Sequence, residues 1–584
     1  MSTSDKKGKC FPDKIWEYRS ASEISASDLA KQLHINNLLA RVLISRGLEA
    51  PSEIKSFLHP RLSSIKDPNQ LQDMKIAANR LKKAIQNNEK ICIYGDYDVD
   101  GITATVIILR FLYWLGKKGD YYIPNRISEG YGLNFPAIER IAENGAKLLI
   151  TVDNGISSLK EVEFANSLGM DVIVTDHHQS DTDLPKAIAV VNPNRKDALH
   201  SHTPLAGVGV AFKLIHATSR ILDVDPESAK RFLTSLLDLV ALGTVADIVP
   251  LIGENRILVK HGLKKLEETE KVGLKTLLQL TWSQNKPITP DSISYYIAPR
   301  INAAGRADQA SLCIDLLTTE DNIKAIEISR RLNRLNDERR KLEMDILESC
   351  LSYIDQKLAV DEEKVLVIPG EGWHIGVVGI VASRLLERYH KPSIVLAVDQ
   401  NTARGSGRSI KGFDLFQALV ECNEYLKEYG GHKRAVGLTL ETANIPHFQK
   451  AINEYAGNVI DAFMDIPKIL IDFEVNAEDL TMENITALSA LEPLGTANPS
   501  PVFFMRGVSL LELPRVVGKD HIKLLLCQDG ISFSAIGFSM AECFPELDNL
   551  SLNWQIAFTP YINEWRGYKN VELAIKDIKP ENNG

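Results

Sequence analysis

The chain has 584 residues, 44% of them hydrophobic and 24% charged, a composition that excludes a disordered polymer and suggests about four domains at roughly 150 residues each. With 67 Lys and Arg against 76 Asp and Glu the net charge is −9. A uniformly basic coat is thereby excluded, and any nucleic-acid binding must come from local basic patches or from metal ions.

The seven cysteines, Cys10, Cys92, Cys313, Cys350, Cys422, Cys527 and Cys543, form no C-x-x-C pair. That argues against a zinc ribbon or a disulfide framework and fits a reducing compartment. The opening MSTSDKKGKC lacks the apolar core of a signal peptide. The strongest apolar run, 106–115, is broken by Arg110 and falls well short of the roughly 20 residues a membrane span needs. The expected setting is soluble and cytoplasmic, away from any membrane.

Residues 1–85 read as helical: Leu29, Leu33, Leu38, Leu39, Val42 and Leu43 recur at helical spacing, and 74–85 is a further amphipathic stretch. From Lys90 short apolar runs (91–94, 121–123, 147–152, 171–175, 187–191) alternate with helical stretches, the pattern of a parallel sheet built from βαβ units. Helices dominate 205–280. Residues 322–355 form one long predicted helix, roughly 50 Å in length, with Ile328, Leu332, Leu335, Leu342 and Ile346 as its seam. Seven basic and seven acidic residues between 320 and 345 make it a solvated connector rather than a DNA-binding face. A second α/β unit follows, with strands at 365–370 and 393–398 and a helix from Val377. After 467 several short β-runs with turns between them predict a small barrel or sandwich.

Three predicted strands end in clusters of carboxylates or imidazoles: ICIYGDYDVDG with Asp96, Asp98 and Asp100, LLITVDNG with Asp153, and VIVTDHH with Asp176, His177 and His178. Ligands of open parallel sheets bind beyond the carboxyl ends of the strands, so one fold brings all three together. Asp247, in ALGTVADIVPL, is a fourth candidate, because a carboxylate in an apolar stretch needs a partner. So many carboxylates in one crevice would repel one another without cations. Oxygen ligands with one or two imidazoles suit Mn²⁺ or Mg²⁺, and two such ions roughly 3.5–4 Å apart are an arrangement for phosphoester hydrolysis. Each motif alone has a plainer reading: GDYDVDG caps a helix equally well, and Asp-Asn-Gly is a good turn. No G-x-x-x-x-G-K-[ST] is present, so ATP is not expected as a cofactor.

Downstream, basic residues accompany predicted glycine turns: YIAPRINAAGR with Arg300 and Arg306, TARGSGRS with Arg404, Ser406 and Arg408, and YGGHKRAVG with Gly430, Gly431 and His432. Glycine allows close backbone approach to a phosphate, and Arg grips one with a bidentate fork; each alone is equally a loop with a surface arginine. Trp373 and His374 precede a predicted helix N-terminus, a second possible anion site, or a packed Trp and a capping His. Phe503, Phe504, Trp554 and Trp565 could stack on bases or belong to the barrel core.

In this order, GDYDVDG, TVDNG, TDHH and ALGTVADIVPL resemble the four motifs of the DHH phosphoesterase superfamily. PRINAAGR, GWHIGVVGIVASR, RGSGRS, GGHKRAVG and LEPLGTANPSPVF resemble its RecJ branch of single-stranded-DNA-specific 5′→3′ exonucleases, from about residue 55 onward. The resemblance implies a DHH-type parallel-sheet domain (86–318) behind an N-terminal helical region (1–85). A connector helix (319–360) then joins it to a second α/β, DHHA1-type domain (361–466) and a C-terminal OB-fold β-barrel (467–584). It implies Asp98, Asp100, Asp153, His177 and Asp247 as ligands of two Mn²⁺ or Mg²⁺ ions, with Asp96 and Asp176 as supports and His178 facing the scissile phosphate. Arg126, Arg306, Ser406, Arg408, Gly430, Gly431 and His432 are implied contacts to the DNA backbone and its 5′ phosphate. The expected activity is two-metal hydrolysis of single-stranded DNA to mononucleotides in repair and recombination. A monomeric enzyme is expected, with a helicase and a single-strand-binding protein as candidate partners. The competing readings are a phosphodiesterase of short oligonucleotides or cyclic dinucleotides, a pyrophosphatase, and a non-catalytic binding module. The candidate ligands all precede residue 250, so the chemistry is expected not to require the β-rich tail.

Overall fold

The computed structural model describes residues 14–19, 24–126, 128–179, 183–198, 204–282, 286–360, 362–460, 466–518, 520–541, 547 and 549–581. Cys10 and Cys543 lie outside them; the five described cysteines are free thiols. Among the described residues before 85, the first element is a strand, β1 (Ile15–Tyr18), followed by the helices Ala26–Leu33, Asn37–Ser45, Pro51–Leu58 and Met74–Gln86; the part of the expected helical region at 1–13 lies outside the described residues.

Strands β2 (Ile91–Tyr94), β3 (Asp120–Tyr122), β4 (Leu148–Val152), β5 (Asp171–Thr175) and β6 (Ala189–Val191) form a parallel sheet in the order β3-β2-β4-β5-β6. β2 and β4 are buried along their whole length, as strands covered by helices on both faces must be, so they read as unbroken apolar runs. The three acidic strand ends belong to β2, β4 and β5, which are immediate neighbours. The helix Val99–Trp114 starts directly from the first cluster, with Asp98 as its N-cap accepting from Gly101 N–H at 3.1 Å.

The long helix spans Asn322–Lys357. Ile328, Leu332 and Leu335 lie in the core of the first unit, and Ile346, Cys350 and Ile354 in that of the second. The connector is therefore anchored at both ends. Leu342, expected in the seam, is 40% exposed because it falls between the two cores. The second unit has a mixed sheet, β7 (Leu366–Glu371), β8 (Ser393–Asp399), β9 (Thr402–Arg408), β10 (Leu426–His432) and β11 (Ala435–Glu441), in the order β10-β11-β9-β8-β7.

The C-terminal strands are β12 (Lys468–Ile471), β13 (Phe473–Glu474), β14 (Phe503–Leu510), β15 (Arg515–Val517), β16 (His521–Gln528), β17 (Ile531–Gly537), β18 (Asn553–Trp565) and β19 (Tyr568–Pro580). β13 to β19 form one seven-stranded sheet, with β14 also pairing β16. Phe503, Phe504 and Trp554 are buried in this domain, whereas Trp565 is 69% exposed at the tip of the β18–β19 hairpin.

β1 pairs in parallel with β12, and Trp16 donates to the buried Asp577 at 2.7 Å. The partner is some 450 residues away, so helical periodicity carried no sign of this strand. Leu29, Leu38, Leu39, Val42, Leu43, Ile44, Ile54 and Leu58 share one core with Phe503, Trp554, Phe558 and Leu573. The first three helices thus belong energetically to the barrel, while Met74–Gln86 packs into the first unit.

Candidate metal centre and phosphate-binding cleft

Asp96, Asp100, Asp153 and Asp176 are each no more than 4% exposed. Asp100 is clamped by two backbone amides at the start of the helix Gly207–Ser219, Gly207 N–H to Oδ2 at 2.6 Å and Val208 N–H to Oδ1 at 2.8 Å. A side chain at Gly207 would overlap Asp153, its Cβ only 2.6 Å from that residue's Cβ. Asp153 itself sits in the left-handed region, φ 62, a conformation Asp tolerates better than most residues. Asp247 follows the helix Leu237–Ala246. The next residue, Ile248, has φ 59. For a β-branched side chain this is a true outlier, costing about 1–3 kcal/mol and persisting only where neighbours hold it.

His177 joins these carboxylates. Its Nε2 lies 3.0 Å from Asp153 Oδ1, 3.5 Å from Asp247 Oδ2 and 3.8 Å from Asp100 Oδ2. The backbone carbonyl of His177 accepts from Asn194 Nδ2 and that of His178 from Asn192 Nδ2. Asp176 accepts from the His177 and His178 amides and from Ile156 N–H, and its Oδ1 bonds His178 Nδ1 at 2.7 Å. Tyr131, which the sequence reading missed, reaches His178 Nδ1 and donates to the Asp153 carbonyl, both at 3.2 Å. Its only signal was a tyrosine between two glycines, EGYGLN.

Burial and the neighbouring carboxylates push Asp96 and Asp153 far up. Burial followed by Asp98 takes Asp100 to about 7, against the pull of the two amides. Burial followed by Asp100 and Asp98 takes Asp247 to about 9. Burial, reinforced by His178, lowers His177 to about 4, so its imidazole is neutral and able to ligate. Burial opposes the charge on His178, but the Asp176 hydrogen bond and charge outweigh it and raise this group to about 9.

These residues fit divalent ions. Ligand atoms of Asp96, Asp98 and Asp153, of Asp100, His177 and Asp247, and of Asp153, His177 and His178 converge within 4.8 Å in each group. Asp153 Oδ1, His177 Nε2 and Asp96 Oδ1 are buried without a hydrogen-bond partner, an arrangement that leaves them unsatisfied unless a cation stands between them. Asp153 and His177 each belong to two of the three groups.

The basic residues meet across the gap between the two α/β units. Arg306 donates to the Gly376 carbonyl at 2.6 Å, and Arg126 lies over the Tyr97 ring at 4.9 Å. Arg408 donates to Ser406 Oγ at 2.9 Å and to the Gly407 carbonyl at 2.7 Å. Burial, then the charges of Arg126, Arg339 and Arg408, lowers Arg306 to about 9; burial and Arg126 also lower Arg408. Among the described residues none of Arg126, Arg306 and Arg408 forms an ion pair with a carboxylate. His432 is lowered by burial, Arg408 and then His178, which puts it within electrostatic reach of His178.

Two of the expected glycine turns are regular structure. Arg300 and Arg306 lie in the helix Ala298–Arg306, where Gly305 lets the helix touch the backbone of Tyr97. Arg404, Ser406 and Arg408 lie in β9 between β8 and β11. There Gly405 and Gly407 take the buried positions, where a Cβ would sit 2.4 Å from Leu396 Cδ2 or 2.8 Å from Leu415 Cδ2. Glycine makes room for the core, and strand alternation turns Ser406 and Arg408 to the opposite face. Gly430, Gly431 and His432 end β10, and Gly431 carries a φ of 129. His374 is an N-cap, accepting from Gly376 N–H.

The fold and the site define a phosphoesterase of the DHH class: residues 90–244 match the DHH family, N-terminal domain, and 362–458 the DHHA1 domain. Residues 471–577 match the RecJ OB domain. The single-stranded-DNA-specific exonuclease RecJ of Bacillus subtilis is 37% identical over 568 residues, covering 96% of this chain and 70% of that protein. RecJ from Thermus thermophilus in complex with Mn²⁺ superposes with a TM-score of 0.81 at 30% identity, over 97% of this chain and 80% of that one. The same protein in complex with Mg²⁺ gives 0.76 at 28% identity, over 97% and 79%. The chain belongs to the RecJ family.

Proposed function

We propose that the chain is a metal-dependent exonuclease that degrades single-stranded DNA from 5′ to 3′, releasing mononucleotides by phosphodiester hydrolysis in repair and recombination. One observation carries this reading. A buried set of carboxylates and imidazole with unpartnered ligand atoms lies within electrostatic reach of a group of three guanidiniums, Arg126, Arg306 and Arg408, that form no close ion pair with a described carboxylate. The name and metal complexes of its relatives support it.

Asp98, Asp100, Asp153, His177 and Asp247 would hold two Mn²⁺ or Mg²⁺ ions. Bound there, the ions supply Lewis-acid neutralisation of the phosphoryl group and a hydroxide nucleophile at neutral pH. Asp176 fixes His178 through Nδ1 and keeps its ring cationic, so its half-exposed edge can donate to the scissile phosphate. Arg126, Arg306, Ser406 and Arg408, with Gly430, Gly431 and His432, receive the strand backbone and its 5′ phosphate. Phosphate recognition of this kind needs no base readout. We assign the chemistry to 86–318 and end-binding to 361–466, held apart by the connector 319–360 behind the N-terminal helical region 1–85, with the barrel 467–584 gripping more of the strand. A monomer in the cytoplasm, serving a helicase and a single-strand-binding protein, is the setting we propose.

The test is a digest of long single strands, duplex, dinucleotides and pyrophosphate with and without chelator. Metal-dependent loss of single strands from the 5′ end is expected. Preference for dinucleotides would favour the short-substrate phosphodiesterase instead.

A further inference from the structure

Arg256 is one of the largest fully buried side chains, 2% exposed on the helix Gly253–Glu267; the Glu492 charge acts on it from a distance, but among the described residues no carboxylate forms a close ion pair with it. Its guanidinium is used up on main-chain carbonyls of two other regions. Nε donates to Phe57 at 2.9 Å, Nη1 to Leu491 and Pro493 at 2.8 and 3.2 Å, and Nη2 to Ala490 and Glu492 at 3.3 and 2.9 Å. Its face lies 3.9 Å from the Phe57 ring centroid. An N-terminal helix and the segment leading into the barrel are thus tied to the first α/β unit at one point.

That segment reaches back to the metal side. Asn498 Nδ2 closes it by donating to the Leu491 and Pro493 carbonyls at 2.9 Å. The Thr496 carbonyl accepts Leu251 N–H at 2.8 Å, and Gly495 packs so closely on Leu251 that a Cβ would lie 2.7 Å from its Cδ1. Leu251 is four residues from Asp247, and between them lies Ile248, whose left-handed backbone needs outside support. On the other side Asn255 donates to the Pro204 and Pro250 carbonyls, just before the amides that clamp Asp100.

We infer that Arg256 is a positioning residue for the metal centre: by fastening segment 490–498 against Leu251 it holds the strained turn at Ile248 and so aims the Asp247 carboxylate at His177. The inference rests on Asp247 being a metal ligand. It makes docking of the barrel a determinant of metal affinity as well as of strand binding.

Mn²⁺ binding to the full chain, read from the free-ion paramagnetic resonance signal, tests this without turnover. Arg256→Lys keeps a cation but loses the planar fork. It should weaken Mn²⁺ binding about tenfold, the low end of what removing a ligand's support costs, while KM for a single strand at saturating metal changes less. Adding Ile248→Gly, which adopts a positive φ freely, should restore most of the affinity. Circular dichroism establishes that each variant is folded; should Arg256→Lys not fold, Asn498→Ala, which cuts the same segment loose, takes its place with the same expectation. Asp247→Asn is the control. Loss of binding in Asp247→Asn but wild-type binding in the latch variant overturns the inference and leaves the ligand assignment standing. A weakening that Ile248→Gly does not relieve also overturns it, since the effect would not run through the turn. Wild-type binding in Asp247→Asn overturns the ligand assignment itself.

Discussion

Removing residues after 466 should unfold the N-terminal helices as well as delete the barrel. Leu29, Leu38, Leu39, Val42, Leu43, Ile44, Ile54 and Leu58 are buried in a core completed by barrel residues such as Phe503, Trp554 and Phe558. Full burial of such side chains contributes about 1.5–3 kcal/mol each, or roughly 12–24 kcal/mol for the eight. If only a third of that burial depends on the barrel, about 4–8 kcal/mol is still lost, comparable to the whole stability of an ordinary domain, about 5–15 kcal/mol. The pairing of β1 with β12 and the bond from Trp16 to Asp577 go at the same time. Hydrogen exchange followed by mass spectrometry checks this. Amides of 26–58 should exchange as an unfolded segment in the truncated chain, while those of β2, β4 and β5 keep protection. A chain cut at both ends, 61–466, should express and behave better than one cut only after 466, because it exposes no orphaned half-core. Native-like protection of 26–58 in the singly truncated chain would show that these helices fold without the barrel and refute the reasoning.

Asp153→Ala should fold but lose more than the roughly 10–100-fold in activity or metal affinity typical of a supporting partner, because Asp153 joins two of the candidate ligand groups; titration of Mn²⁺ alongside single-turnover rates checks it. Metal binding should tighten as pH rises. In the free protein burial and neighbouring carboxylates raise Asp100 to about 7 and Asp247 to about 9, and a cation must displace those protons. Affinity should therefore climb through pH 7 and go on rising towards about 9. Calorimetry in buffers of different ionisation enthalpy should detect proton release, and pH-independent affinity would contradict it. Arg408→Ala should impair degradation of 5′-phosphorylated strands more than of 5′-hydroxyl strands, compared as kcat/KM. An equal loss on both would make Arg408 a general backbone contact.

The acidic motifs were legible in the sequence because local chemistry and strand-end placement coincide. GDYDVDG, TVDNG and TDHH each follow a short apolar run, and a parallel sheet collects such ends on one side whatever the order of its strands. The alternation of strands and helices and the long charged helix were legible for the same reason: their periods are set by near neighbours in the chain. Glycine roles were not. RGSGR looked like a turn, yet Gly405 and Gly407 are small because Leu396 and Leu415 press on them from other elements. Tyr131 and the amides of Gly207 and Val208 entered the site only through folding, since their partners are 22 to 108 residues away. Tertiary structure alone decided that β1 is a strand and that the first helices belong to the barrel, because both depend on contacts across more than 400 residues. It also decided that Arg256 spends its donors on carbonyls of two distant segments. An isolated sequence window specifies what a segment prefers; which preferences are kept is set by the surfaces and backbone groups that remote segments leave to be covered.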